Sequence, residues 1–274
     1  MTASAEPTVA EILRYGLDHD LTIIDFHTHL GRWFHYWFSE DSAHHLVSRM
    51  DDFGIATSIT HHTLGMVGEY RRGNDIIGKA MRQFPGRIEG AAMANPHYPE
   101  EIRPELQRCL DEYDMRVIKL HPSTHAYKLD GDGYQPVYEF ASDNRLIVVT
   151  HCGATAINGS AMQLAAMAAR YPEATFVAYH VAGDFDGLKI YGEAIRPYPN
   201  YYAEICGPMT HNVLEMLVDE VGEDKVLFGS DHIFMSMPPG IGRIASCRLS
   251  ELQKRKLLGL NAKRLLDRLR GRTS

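Results

Sequence analysis

The sequence is poor in cysteine and has no long apolar run. Its four cysteines among 274 residues stand singly, without a C-x-x-C pair, which argues against a disulfide framework and against a thiolate zinc site. No apolar run approaches the roughly 18 residues that span a bilayer, and the first residues lack the charged and then apolar layout of a secretory signal. We therefore expect a cytoplasmic protein with reduced thiols and no membrane association.

Positive charge is also in deficit, because 28 Lys and Arg face 35 Asp and Glu, for a formal net charge of -7. No broad basic surface is expected, so nucleic acid and anionic membranes are unsuitable partners and a small soluble substrate is favoured. A glycine-rich phosphate loop is missing as well, since the first predicted strand ends in FHTHLG rather than G-x-G-x-x-G. Its absence removes the main support for a nucleotide-binding, doubly wound sheet.

Short β-rich segments alternate with amphipathic helical segments along the whole chain, which indicates parallel strands joined by crossover helices. Eight such units in this length predict an α/β fold, a single (β/α)8 TIM barrel over residues 1–274. The segment TVAEILRYGL predicts an extra N-terminal helix. The predicted strands are LTIIDFH (21–27), ATSITH (56–61), RIEGAAMA (87–94), MRVIKLH (115–121), RLIVVTH (145–151), ATFVAYH (174–180), NYYAEI (200–205) and KVLFGSD (225–231).

Histidine is abundant, with 15 copies, and several predicted strands end in a histidine or another ligand-capable residue. The active site of a TIM barrel lies at the carboxyl ends of its strands. Because strand side chains alternate faces, the residue two positions before each of these should share its face. This parity predicts inward pairs on six strands: His27 with His29, Lys119 with His121, Val149 with His151, Ala178 with His180, Tyr202 with Glu204, and Gly229 with Asp231.

The convergence of these imidazoles and carboxylates predicts a metal site, since a divalent cation removes the cost of burying them together. The His27-Thr28-His29 spacing places two imidazoles in one volume, where they can grip one ion. Three imidazoles and one carboxylate favour zinc, and manganese, iron or cobalt can use the same ligands. We expect six further histidines near strand ends or in loops to be hydrogen-bonded or exposed rather than ligands: His61, His62, His97, His125, His211 and His232.

The motifs DFHTHL, VIKLHP, VVTHCG, VAYHVAG, LFGSDH and LGLNAKRLL, in this order over residues 21–268, resemble the amidohydrolase superfamily, in its amidohydrolase-related branch. The resemblance implies that His27, His29, His151 and Asp231 bind one divalent metal. It implies that His180 either binds a second metal or acts as acid and base.

Lys119 admits two interpretations. The resemblance allows a carboxylated lysine that bridges two metals, with His151 and His180 completing the second site. The alternative is a plain ammonium held by Asp231, Glu204 or a substrate carboxylate. We favour the ammonium and a single metal.

The expected chemistry is metal-assisted hydrolysis of an amide, ester or lactone, since a cation lowers the pKa of bound water from 15.7 towards about 7. Asp231 would take the proton, and His180 would stabilise the developing oxyanion or relay a proton. The alternative that the resemblance implies is a decarboxylase acting on an aromatic or unsaturated carboxylic acid.

The loop LGRWFHYWF (30–38) contains both tryptophans and is expected over the barrel mouth, where its aromatic residues favour a ring-bearing substrate. The alternative is packing against neighbouring loops or a second subunit, and we expect a homodimer by analogy with related barrels. The predicted substrate-binding residues are Arg32, Trp33, His121, Glu204 and His232.

Overall fold

The computed structural model describes residues 8–15, 21–181, 187–207 and 210–271. Its strands are all parallel and neighbour one another in chain order, from β1 to β8. All eight overlap the segments predicted from the sequence, so the predicted (β/α)8 fold is confirmed. The strands are β1 (Ile23–Leu30), β2 (Ile55–His62), β3 (Ile88–Met93), β4 (Val117–Leu120), β5 (Ile147–His151), β6 (Thr175–Tyr179), β7 (Tyr201–Ile205) and β8 (Val226–Phe228).

The barrel closes between β1 and the segment that follows β8. The backbone N–H of Asp231 donates to the carbonyl of His27 at 2.9 Å, and the N–H of His29 donates to the carbonyl of His232 at 2.5 Å. Closure therefore takes place beside the predicted metal ligands, where the two ends of the sheet are tied by backbone hydrogen bonds.

The helices occupy the connections between the strands and the end of the chain, and some begin at clear caps, such as Ser160 with Gln163 before α7. The extra N-terminal helix is present as α1, and residues 16 and 17 of the predicted segment lie outside the described residues. Among the described residues, none of the helices has the length and apolarity that crossing a bilayer requires. The helices are α1 (Val9–Tyr15), α2 (Ala43–Asp52), α3 (Tyr70–Gln83), α4 (Pro99–Tyr113), α5 (Pro122–His125), α6 (Gln135–Asp143), α7 (Ala161–Arg170), α8 (Leu188–Ile195), α9 (Val213–Val221), α10 (Met237–Ser246), α11 (Glu251–Arg255) and α12 (Asn261–Leu269), with a π-helical turn at Lys256–Leu260 between the last two.

The two largest apolar clusters of the described residues lie between the strands and the helices and inside the barrel. The inner cluster contains Val117, Val149 and Tyr202, which confirms the predicted parity on β4, β5 and β7. The prediction was wrong for β6. There Tyr179 belongs to the inner cluster and Ala178 to the outer one, so strand alternation by itself would turn the following histidine outwards.

His180 nevertheless reaches the barrel mouth, because it lies one residue beyond β6 in the left-handed region, with φ of 69°. Asp231, beyond the end of β8, is also in the left-handed region, with φ of 60°. Left-handed backbone is unfavourable for residues other than glycine. The fold therefore holds these two side chains in the site at a conformational cost.

Candidate metal centre

Three of the predicted ligand atoms converge at the mouth of the barrel. His27 Nε2 and His29 Nε2 are 3.2 Å apart, and Asp231 Oδ1 lies 3.4 Å from the first and 2.9 Å from the second. Donors bound to one tetrahedral zinc at about 2.0–2.1 Å stand roughly 3.3 Å from one another. The triangle formed by these atoms therefore has the size that one divalent cation requires.

A bulge in β1 and a buried carboxylate position this triangle. Asp25 of β1 pairs with Ser58 of β2, and Thr28 pairs with Thr60. β1 therefore has one residue more than β2 between these two pairs, which is a β-bulge. Asp25 accepts hydrogen bonds from the backbone N–H of Ser230 at 2.9 Å and of His27 at 3.1 Å. Asp25 thus ties the strand that bears the histidines to the loop that bears Asp231, a role that the sequence analysis missed.

The fourth predicted ligand and two further histidines form the opposite wall of the site. The His151 ring lies 4.5 Å, between ring centroids, from both the His121 ring and the His180 ring. Burial lowers the pKa of His151 to about 3 and that of His180 to about 4. Their imidazoles are therefore neutral near pH 7, with lone pairs available for a cation.

The same protonation state holds for the two predicted ligands on β1, His27 and His29. Burial lowers the pKa of His27 and of His29, with the hydrogen bond to Asp231 opposing the shift at His29. Burial raises the pKa of Asp231, but the His29 hydrogen bond and nearby positive groups outweigh it and leave that pKa below its usual value. Neutral imidazoles beside an ionised carboxylate are the donor set that a first-row divalent metal binds, so these residues fit the predicted ion.

Glu204 and Cys206, at the end of β7, support the ligands from beneath. Glu204 Oε2 accepts the backbone N–H of His180 at 3.1 Å and lies 3.5 Å from His27 Nδ1. Cys206 Sγ lies 3.5 Å from the same His27 nitrogen and 3.0 Å from His180 Nδ1. Such outer contacts orient ligating histidines and set their tautomers.

These contacts restrict the positions of the protons. If a metal is bound at His27 Nε2, the ring proton of His27 is on Nδ1, where Glu204 or Cys206 can accept it. Burial raises the pKa of the Cys206 thiol well above its ordinary value, so Cys206 keeps its proton, and either Glu204 or His180 Nδ1 can accept it.

Lys119 stands at the floor of the site and has no hydrogen-bond partner among the described residues. Its Nζ lies 4.0 Å above the centre of the Tyr179 ring. Burial lowers the lysine pKa to about 7, although the charges of Asp231 and Glu204 act in the opposite direction. Among the described residues, neither Asp231 nor Glu204 forms the ion pair with Lys119 that the sequence analysis considered.

A cavity of about 440 Å³ opens over these groups. One wall is apolar and aromatic and comes from the loop after β1, the turn after β2 and the loop after β8. Its lining contains Trp33, Tyr36, Met66, Phe234 and Met235, together with His27, His29, Lys119, His121, Thr124, His151, His180 and Asp231. The cavity thus joins a metal site and an amine to a surface suited to a planar ring.

Of the five predicted substrate-binding residues, Trp33 and His121 line this cavity. The other three lie elsewhere. Arg32 is 76% exposed in its side chain and pairs with Asp41, and Glu204 lies buried beneath the ligands. The His232 ring stacks at 5.8 Å on His45, so its backbone carbonyl, rather than its ring, contributes to the site.

His61 departs from the expectation for the remaining histidines. Its side chain is fully buried, and neither ring nitrogen has a hydrogen-bond partner among the described residues. Its ring centroid lies 4.1 Å from that of His29. The period-two pattern in ITHH, with Ile59 and His61 on one face, is the signal that could have placed it inside the barrel.

Comparison with known proteins agrees with this geometry. The family model for amidohydrolases matches residues 24–268, and no curated protein matches the sequence. A dihydroxybenzoic acid decarboxylase from Polaromonas sp. JS666, solved with manganese and the inhibitor 2-nitroresorcinol, is 19% identical with a TM-score of 0.72, covering 90% of this chain and 97% of its own.

Two 5-carboxyvanillate decarboxylases are similar in structure, each 16% identical to this chain. The enzyme from Sphingomonas paucimobilis has a TM-score of 0.69 and covers 90% of this chain and 99% of its own. The enzyme from Novosphingobium aromaticivorans, solved with manganese, has a TM-score of 0.66 and covers 81% and 79%. At these identities the likeness establishes the shared fold.

Proposed function

This chain belongs to the amidohydrolase family, and on that basis we propose that it is a metal-dependent decarboxylase of a small aromatic carboxylic acid. This is the alternative that the sequence analysis set beside hydrolysis. The named activities of the structural neighbours support it over the hydrolase that we placed first, because three neighbours from different organisms are decarboxylases of substituted benzoic acids.

The observation that carries the proposal is the unpartnered Lys119 amine beside the triangle of ligand atoms, under an aromatic wall. A benzoate-type substrate fits each of these features. Its carboxylate would be the anionic partner of both the cation and Lys119, and its ring would pack on Trp33, Tyr36 and Phe234. A neutral amide or lactone would leave the buried Lys119 without an ionic partner.

Decarboxylation breaks the bond between the ring carbon and the carboxylate, leaves the electron pair on the ring carbon, and places a proton there as carbon dioxide departs. When bound, a divalent cation supplies Lewis acidity that draws electron density from the oxygens of the substrate. We assign the proton transfer to His180, which lines the cavity. Its neutral ring takes a proton from solvent, and the imidazolium so formed gives one proton to the ring carbon and becomes neutral again.

One divalent cation on His27, His29, His151 and Asp231 is part of the proposal. The sequence favoured zinc, and the manganese in two neighbouring structures supports manganese equally. Metal analysis of protein purified without chelator decides between them.

A coupled carbon dioxide assay against hydroxylated benzoic acids, run beside a panel of lactones and amides, tests the proposal. We expect release of carbon dioxide and, in D2O, one deuterium at the ring carbon that carried the carboxylate. His180→Asn should retain the metal and lose turnover. Turnover of a lactone or amide, with no carbon dioxide from any acid, would overturn the proposal and restore the hydrolase.

A further inference from the structure

We propose that His61 of β2 is an additional ligand of the metal, beyond the four that the family resemblance implies. The inference deepens the proposed function and rests on it, because it concerns the same ion. It assigns to the centre five protein donors, which are His27, His29, His61, His151 and Asp231.

The strand register brings His61 to the site. His61 is paired with His29 across the parallel β1 and β2 strands, so the two residues lie side by side at the same height of the barrel. Both side chains are buried, and their ring centroids are 4.1 Å apart. The His27 ring is 5.8 Å from that of His61, so the three imidazoles surround one small volume.

The distances between the three imidazoles are close to those of a shared cation. One ligand atom from each of His27, His29 and His61 can be chosen so that all three lie within 4.8 Å of one another. Two donors on opposite sides of an ion, each about 2.1 Å from it, are roughly 4.2 Å apart. The upper bound of 4.8 Å is thus within about 0.6 Å of the spacing that a bound ion imposes.

His61 has no other evident role in this environment. Both of its ring nitrogens lack hydrogen-bond partners among the described residues, which is costly for a buried polar side chain. His61 is also absent from the lining of the substrate cavity, so a substrate contact does not explain it. A cation bound between β1 and β2 would bind the lone pair of one His61 ring nitrogen.

A fifth protein donor has a consequence for the identity of the metal. Zinc in proteins is most often four-coordinate and tetrahedral, whereas manganese accepts octahedral ligand sets. With five protein donors and one open position for substrate, the centre suits an ion that accepts five or six ligands. We therefore expect manganese, iron or cobalt to be retained in preference to zinc.

The test uses the full-length protein, freed of metal with EDTA and reloaded with Co²⁺. Proton NMR of the Co²⁺ form counts ligating imidazoles by their shifted N–H signals, and we expect four in the wild type, from His27, His29, His61 and His151. In His61→Leu one signal should disappear, and the Kd for Co²⁺, measured by competition with a chelating dye, should rise at least about tenfold, the scale of an outer contact.

The matched control is His125→Leu, which removes another buried histidine. His125 Nδ1 lies 2.7 Å from the Tyr134 hydroxyl and Nε2 lies 3.1 Å from the Gly65 carbonyl, so its replacement breaks two hydrogen bonds. We expect His125→Leu to lower the Tm of the metal-free protein and leave the Kd for Co²⁺ unchanged. His61→Leu removes no hydrogen bond to a described residue, and the Tm of its metal-free form should stay near that of the wild type.

The count in the wild type decides the inference even if His61→Leu does not fold. Three imidazole signals, or an unchanged spectrum and Kd in His61→Leu, would overturn it. A weaker Kd with the wild-type number of signals would overturn it too, because His61 would then act through His29. Failure of the wild type to bind Co²⁺, Mn²⁺ or Zn²⁺ would instead remove the metal centre, and with it the proposed function.

Discussion

Replacement of Gly229 by alanine tests the packing beneath the metal ligands. A Cβ at this position would overlap Glu204 Oε1 and would lie 2.6 Å from Glu204 Cδ and 2.8 Å from His27 Cβ. Glu204 is fully buried and accepts a hydrogen bond from the backbone N–H of His180. Its carboxylate therefore cannot easily move aside to make room for the added methyl group. We expect overpacking to cost about 1–3 kcal/mol of the free energy of unfolding.

That cost corresponds to a fall in Tm of roughly 2–4 °C per kcal/mol for a domain of this size. Displacement of His27 should also weaken metal binding, which separates this effect from a general loss of stability. Gly242→Ala is the matched control, because a Cβ there meets nothing within 4 Å. Its position in α10 should make alanine stabilising by about 0.5–1 kcal/mol.

The assay is urea unfolding of the metal-free protein, followed by Co²⁺ titration of each variant. The double variant Glu204→Ala/Gly229→Ala removes the obstructing carboxylate, so it should lose less stability than the two single variants added together. If Gly229→Ala kept the stability and the metal affinity of the wild type, Glu204 would not occupy the place that the structure gives it.

Three further outcomes are expected. Asp231→Asn should raise the Kd for Mn²⁺ more than about tenfold by titration, and wild-type affinity would exclude Asp231 as a ligand. Burial lowers the pKa of His151 to about 3 and of His180 to about 4. Below pH about 6.5, these two histidines are therefore protonated in the unfolded chain and remain neutral in the folded, metal-free protein. The stability that these histidines contribute is complete above pH about 6.5 and is lost as the pH falls through about 4 for His180 and about 3 for His151. An equal urea midpoint at pH 7.5 and pH 5 would contradict this. Cys206→Ala should lower kcat more than it raises KM, with recovery in Cys206→Ser, because Cys206 Sγ lies 3.0 Å from His180 Nδ1 and orients that ring. Steady-state kinetics with an identified acid checks this, and an unchanged kcat in Cys206→Ala would remove Cys206 as a positioning residue of His180.

Much of the fold could be predicted from local pattern. The apolar β-rich segments and the helical segments between them marked all eight strands, because a parallel strand buried on both faces must be apolar along its length. The H-x-H motif predicted His27 and His29 as ligands for a similarly local reason, since residues i and i+2 of a strand share a face. Parity also turned Lys119 and Glu204 inwards.

Parity failed on β6, and elsewhere it held although the backbone departs from a regular strand. The bulge in β1 and the left-handed residues His180 and Asp231 change the direction of side chains, and their conformations depend on hydrogen bonds between distant segments. Those bonds include Asp25 with Ser230, which are 205 residues apart in the chain. A pattern read along one segment contains no information about such a partner.

The sequence by itself thus determined the barrel, the face of most inward side chains and the ligand types of a metal centre. The tertiary structure decided which residues meet. It left Lys119 unpaired, placed Arg32 at the surface and Glu204 beneath the ligands, and brought His61 to His29. The physical reason is that an imidazole or carboxylate acquires its role from the charges, donors and burial around it, which arise only when distant segments pack together.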